Sequence, residues 1–310
     1  MTPGDGNRDG DGTLATSADA LVRAPDTVIE LTGTGALACL QGIVSNDVVK
    51  PGDNALTYAG ILTPKGLLIT DAWIVRAAGR LFLVAPAEAR AAVMEAFRRS
   101  LPPRLARAVD LAAEWRVLWT WQATLGRAAR VRVVDDVVVA RREPPAWFDE
   151  LVIGPAEAID RFLAARLAGG ALERDVQWAE ARRITAGWPR LGREIDEKTL
   201  VQEVRFDENG GVSYDKGCYT GQETVARLHF RGHTNRNLRG LAWARDVALT
   251  DDRVVLDGKE VGRVGSSLEM PGRRVGLALI RREVDDGALV VAGGSPATVV
   301  ALPFEEAPRR

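Results

Sequence analysis

From Leu238 to the end, the chain is a run of short β-type segments, each cut off by turn residues: LRGLAW, RVVLDG, EVGRVGSS, RVGLALIRR, ALVVAG and ATVVALP. Short strands at such regular spacing leave no room for crossover helices. They must close on themselves to bury their apolar faces, so residues 238–310 are expected to form a small β-barrel or sandwich.

The preceding part reads differently. VIELTG (28–33) has strand character, and GALACLQGIVSND (35–47) carries Leu37, Leu40 and Ile43 at helical spacing. Residues 55–85 form a strand series, with turn signals at Pro64 to Gly66 and at Ala78-Gly79. Residues 86–100 predict a helix with Pro86 in its first turn and Arg98 and Arg99 in its last. Strands follow around 108–112, 117–122 and 131–139, then a loop at Pro144 and Pro145. A second helix over 154–170 opens at Pro155 and closes at Gly169-Gly170, and a third covers 176–190. The expectation is an α+β region over 18–237 and a β unit over 238–310. Residues 1–17 are Gly, Asp, Asn and Thr with little to bury, and are expected to be a disordered tail.

Composition excludes several function classes. Lys plus Arg total 41 against 42 Asp plus Glu, so no global charge draws the chain to nucleic acid. Two cysteines and two histidines are too few for a disulfide framework, a self-contained iron–sulfur site or structural zinc, so no stably bound metal is expected. No window approaches the roughly 18 apolar residues of a membrane span. The acidic N-terminal stretch lacks the apolar core of a secretory signal, so a reducing cytoplasm is the expected compartment.

Chemistry concentrates in residues 193–237, which are polar, glycine-bearing and only weakly periodic. A stretch of that length with so little regular signal is more often functional than idle. Its densest part is KGCYTGQE, residues 216–223. Gly217 and Gly221 flank Cys218, letting the backbone turn and a ligand approach. Lys216, with Arg227 if the chain folds back, would favour the thiolate. Gln222 and Glu223 can offer an amide and a carboxylate to a planar nitrogen heterocycle. In the alternative reading, Cys218 is a small buried residue in a tight turn. Cys39, among apolar neighbours in ALACLQGI, reads as core. His229 and His233 have a metal-pair spacing, but Gly232 between them and the lack of a third ligand argue against zinc. The alternating Trp115, Trp119 and Trp121 read as packing.

The segment KGCYTGQE closely resembles the signature of YgfZ-type folate-binding proteins, relatives of the glycine cleavage aminomethyltransferase and of mitochondrial iron–sulfur assembly factors. Other segments agree in order. Leu40-Gln41-Gly42 with Asn46-Asp47 is similar to an early L-Q-G…N-D motif, and Thr63-Pro64-Lys65-Gly66 through Asp71 to a P-x-G…D strand turn. Arg183-Ile184 with Gly187 and Pro189 is similar to R-I-x-x-G-x-P, and Glu203 to the acid of a P-Q-E element, with Val201 in place of proline. Arg227, Arg231 and Gly232 continue the signature, and Val261-Gly262 with Ser266 resembles a barrel strand.

The resemblance implies two interleaved α+β subdomains and a C-terminal β-barrel around a central cleft that holds tetrahydrofolate. It implies an accessory role in assembling or repairing iron–sulfur clusters of client enzymes, with Cys218 as the working residue. The alternative is a folate-dependent one-carbon transferase with Asp71 as acid/base. The ligand would be lined by Asn46, Asp47, Asp71, Lys216, Gly217, Gly221, Gln222 and Glu223, with Arg227 or Arg231 on its glutamate tail. The partners implied are folate and transiently bound iron–sulfur proteins, with neither nucleic acid nor membrane. Two positions depart from the aminomethyltransferase. Its acidic residue after the strand turn falls more directly on Thr70 than on Asp71, and its folate-gripping arginine falls near Ala179 or Glu180.

Overall fold

The structure, a computed structural model, describes residues 18–122, 130–143, 146–244, 247–270 and 272–304. The expected tail at 1–17 and the Pro144-Pro145 loop lie outside the described residues. The elements run in the order β1 (Ala20–Arg23), β2 (Asp26–Thr32), α1 (Ala36–Gln41), β3 (Ala55–Leu62), β4 (Leu68–Ala77), β5 (Arg80–Pro86), α2 (Arg90–Ser100), β6 (Arg107–Asp110) and β7 (Trp115–Trp121). They continue with β8 (Val131–Val134), β9 (Val137–Ala140), β10 (Glu150–Pro155), α3 (Ala156–Ala168), β11 (Leu172–Arg174), α4 (Val176–Thr185) and α5 (Gln222–Arg231). Last come β12 (Arg236–Ala244), β13 (Arg253–Leu256), β14 (Lys259–Met270), β15 (Arg273–Arg281), β16 (Leu289–Ala292) and β17 (Ser295–Val300).

These strands build three sheets. One is five-stranded and antiparallel in the order β3-β4-β5-β2-β6. The second has the order β11-β1-β7-β10-β9-β8, with only the β1–β11 pair parallel. The third is a closed barrel, β12-β15-β14-β13-β16-β17. The chain enters the second sheet with β1, leaves to build the first, and returns with β7, so the first two are interleaved. Local chemistry sets the turns. Asp135 and Asp136 both adopt positive φ between β8 and β9, and Asp257-Gly258 does the same between β13 and β14. That is the turn whose twist suits a two-residue hairpin.

Each helix covers a sheet with one stripe. α2 buries Val93 and Phe97 on the five-stranded sheet, and α3 buries Ala158, Ile159 and Leu163 on the other. Each large apolar side chain so buried stabilises by about 1.5–3 kcal/mol. Pro86 and Pro155 end strands β5 and β10 in extended conformation, so each stands just outside the helical turn that the sequence predicts for it. The helix expected over 35–47 stops at Gln41, because Val44 turns to bridge Ile61 beside β3. The third stops at Thr185, before Gly187 in the left-handed region. An aromatic core holds the two α+β sheets and one side of the barrel together: Tyr58, Trp73 and Trp188 meet one another, with Phe206 on Tyr58 and Phe148 on Trp73.

Candidate functional site

The signature loop is anchored to the chain following α1. Lys216 Nζ donates to the carbonyls of Gln41 at 2.5 Å and of Val44 and Asn46 at 2.8 Å each. An ammonium has three protons, and all three are committed here. Burial pushes its pKa down to about 8, against the pull of Asp47. Lys216 is therefore a bracket that holds the signature loop. Thr220 N donates to Gly42 O at 3.0 Å, and Ser213 N to Ser45 O at 3.1 Å, completing the seam.

Asn46 and Asp47 serve the same seam. Asn46 Nδ2 donates to the carbonyls of Tyr58 and Gly210, each at 2.8 Å. Asp47 accepts from Gln41 Nε2 and from the amides of Val49 and Lys50. Burial opposes its ionisation, but these hydrogen bonds outweigh that and hold its carboxyl below the usual range.

Gly221 and Gly66 show why glycine is required. Both lie at φ 82°, and a Cβ on Gly221 would stand 2.7 Å from Thr63 O and 2.9 Å from Gly66 Cα. Two backbones meet there, joining the 63–66 turn to the start of α5. Gly217 differs: a Cβ there meets nothing within 4 Å. Gln222 Oε1 accepts from Tyr219 N at 3.2 Å, so its amide oxygen also works within the loop. Glu223, Arg227 and Arg231 are exposed on α5. Cys218 is exposed too, whereas Cys39, on α1, is half-buried against the core. α5 ends at Arg231, so His233 lies beyond it, while His229 stacks on Tyr214 with ring centroids 3.6 Å apart.

The expected cleft residues thus meet mainly through backbone, and two cavities lie beside them. The smaller, about 40 Å³, is lined by Asp26, Asp71, Glu180, Arg183 and Arg190 with Trp73, Trp119, Trp147 and Trp188. Asp71 Oδ2 accepts from Tyr58 Oη at 3.3 Å, and its Oδ1 is buried with no hydrogen-bond partner. Burial pushes Asp71 up to about 6. Asp26 accepts from Trp119 Nε1 at 3.1 Å, and burial, helped by the Asp71 charge, pushes it up to about 7. Glu180 is one of the two positions, with Ala179, near which an arginine is expected, and Arg190, 2.9 Å from it, brings a cation to the same wall. Arg183 pairs with Glu180 and Glu194 and donates to Ser266 Oγ at 2.7 Å, tying the barrel to this wall. The sequence reading missed Asp26 and Arg190, which stand in no motif. It took Trp119 as packing, without placing it beside an acid.

The larger cavity, about 530 Å³, has Asn46, Asp47, Tyr58, Arg142, Tyr214 and Asp215 in its wall. Tyr58 belongs to its wall and also bonds Asp71 of the smaller one, so the two cavities lie back to back. Glu203 accepts from Leu200 N and from Arg236, fastening the turn before the signature loop to β12. Among the described residues no cluster of three or more His, Cys, Asp or Glu is placed to hold a metal. No helix of the described residues is long and apolar enough to cross a membrane.

Comparison with solved structures matches the glycine cleavage system aminomethyltransferase T from Bartonella henselae with a TM-score of 0.77 at 19% identity, covering 94% of this chain and 88% of that one. The fold is therefore the aminomethyltransferase-like one, with its closed C-terminal barrel. No protein-family profile matches the chain. Among curated proteins it is 29% identical over 299 residues to the tRNA-modifying protein YgfZ of Cronobacter sakazakii, spanning 87% of this chain and 85% of that one. It is 26% identical over 238 residues to the mitochondrial iron-sulfur cluster assembly factor IBA57 homolog of Mycosarcoma maydis, spanning 70% of this chain and 55% of that one. The chain is thus similar over most of its length to a YgfZ protein, similar over a shorter stretch to a mitochondrial iron-sulfur cluster assembly factor, and shares the aminomethyltransferase fold.

Proposed function

We propose that this protein binds a tetrahydrofolate-type cofactor and assists the assembly or repair of iron–sulfur clusters in client enzymes, with Cys218 as its working thiol. The observation that carries the reading is the exposure of Cys218 on a loop pinned on either side by Lys216 and Gly221. A thiol needed only for packing would be turned inward. One thiolate cannot hold a cluster that takes four, so a client or a small thiol completes the set. The names of the two curated relatives, one an iron–sulfur assembly factor and one tRNA-modifying, support this reading together if a client enzyme itself acts on tRNA.

The folate reading is supported by the smaller cavity. The unpaired Asp71 Oδ1 can accept from the donor edge of a pterin, and the tryptophan rings offer faces to stack on. Arg190 is the cation nearest to hand for an anionic tail. The walls fit the group in kind, whereas the space of about 40 Å³ is well below the roughly 300–1,000 Å³ of ligand pockets. Side chains of the wall must part to admit the whole ring. Bound folate would supply a one-carbon carrier. A second reading, one-carbon transfer, is favoured by Asp71 itself, whose pKa of about 6 suits a group that takes and returns a proton near neutrality.

Complementation of a strain lacking such a factor tests the proposal, with wild type expected to restore iron–sulfur enzyme activity and Cys218→Ala expected to fail. Full rescue by Cys218→Ala would return the residue to a structural role. Calorimetry with tetrahydrofolate tests the cofactor, and no binding at millimolar concentration would remove it. Turnover with an aminomethyl donor would favour the second reading.

A further inference from the structure

The larger cavity contains a charge that no carboxylate of the described residues answers. Arg142 is half-buried in its wall, where Nη1 donates to Asn209 O at 2.8 Å and the guanidinium lies 6.0 Å from the Trp73 ring. No carboxylate of the described residues lies within ion-pair distance of it, whereas Arg183 meets two and Arg132 is held by Glu150. A guanidinium has five donors, and withdrawing it from water without an anion is costly. Burial accordingly pulls its pKa below the usual arginine range. The backbone makes room for it: Gly210 sits at φ 64°, and a Cβ there would come within 2.8 Å of Arg142 Nη2. Lys50 lines the same cavity and forms no ion pair with any of the described residues. Of the acids in the wall, Asp47 is committed to its own loop, Glu143 lies 3.7 Å from Arg130 and 3.8 Å from Arg141, and Asp215 is exposed. Tyr214 and Val212 add apolar surface, and the volume lies within the range of small-molecule sites.

We propose that this cavity is a second ligand site, separate from the Asp71 chamber, for a small molecule bearing a carboxylate or phosphate that Arg142 grips in bidentate fashion with Lys50 alongside. Planar two-point recognition of such anions is what arginine does best. The wall also connects the site to the thiol. Residues 210–215 run directly into Lys216 and Cys218, and Asn46 bonds both Gly210 O and, through its own carbonyl, Lys216. An anion on Arg142 therefore braces the strand of chain that carries Cys218.

Calorimetry at low salt with glutarate and with inorganic phosphate, on the full chain, tests the site. One of the two is expected to bind wild type. Arg142→Ala should weaken that binding by about tenfold or more, the worth of a charge-assisted pair of hydrogen bonds, and Arg142→Lys by less. Lys50→Ala, at an exposed position, should weaken it severalfold, and this keeps the test open if Arg142→Ala fails to fold. Tetrahydrofolate forms the third arm. Competition with the bound anion would identify the anion as a folate tail, and no competition would identify a separate metabolite; both support the site. No binding of either anion to wild type at millimolar concentration, or equal binding by well-folded Arg142→Ala, would overturn it. Failure of tetrahydrofolate alone would remove the folate reading and leave this one standing.

Discussion

Tyr58 donates its hydroxyl to Oδ2 of Asp71 at 3.3 Å, while the other carboxylate oxygen of Asp71 is buried without a partner. The phenol is itself fully buried, so the pair forms a polar island between two cavities, inside the aromatic core.

That island should make stability depend on pH. Burial raises Asp71 to about 6 and Asp26 to about 7, against roughly 3.9 for an ordinary aspartate. The folded chain then holds protons that the unfolded chain has released. The contribution of these groups is complete below about pH 4, and is lost as the pH rises through about 6 and 7. Asp71→Asn keeps an acceptor for Tyr58 and removes the charge. It is expected to flatten the fall in unfolding free energy between pH 4 and 7, and to stabilise the protein at pH 8 by about 1–3 kcal/mol, the usual cost of an unsatisfied buried group. Urea denaturation across that range checks both. An unchanged slope in the variant would assign the dependence elsewhere.

The two signature glycines should behave oppositely. At Gly221 an alanine meets the Thr63 carbonyl and the Gly66 backbone, at a φ that L-residues rarely adopt. Gly221→Ala should cost about 2–4 kcal/mol, combining left-handed strain with a clash that no side chain can relieve. Gly217→Ala, facing open space, should stay within about 0.5 kcal/mol of wild type. Thermal unfolding of the two variants checks this. Equal loss in both would mean that Gly217 has a packing role.

Much of the fold was legible because its signals are local and strong. The barrel announced itself through strands cut by turn residues, and α3 through Pro155 at its start and Gly169-Gly170 at its end. α5 was not legible, and its reason is physical. It is a polar helix that buries Val225 alone and leaves Phe230 67% exposed, so few apolar residues mark it within a polar, glycine-bearing stretch. The signature glycines and Lys216 were visible as a cluster, but their partners were not. Nothing in the sequence says that Lys216 reaches back to the carbonyls of Gln41, Val44 and Asn46, since a carbonyl has no residue identity to read. Asp26 and Arg190 were hidden for a related reason: each joins the small cavity through long-range packing.

Lys216 should accordingly be a stability residue first. Removing it leaves three inward-facing carbonyls without their common donor, and the signature loop loses its tie to α1. Lys216→Met, close in length but without the charge, should cost about 2–4 kcal/mol. It should also speed proteolysis within residues 210–221, because the seam held by Thr220 and Ser213 loosens with it. Limited proteolysis alongside chemical denaturation separates the two effects. A variant as stable as wild type would mean that the three carbonyls find water instead.

Cys218 should be the first thiol to react. It is exposed, while Cys39, on α1, is half-buried. The expected selectivity follows from access. Alkylation of the native protein followed by peptide mass spectrometry should label Cys218 well ahead of Cys39, and unfolding in urea should bring the two rates together. Cys218→Ala should change unfolding free energy by less than about 0.5 kcal/mol, because an exposed loop thiol contributes little packing. Labelling of Cys39 first would contradict the placement of both residues. A large stability loss in Cys218→Ala would give the thiol a packing role that its exposure does not suggest, and would weaken its claim to be the working group.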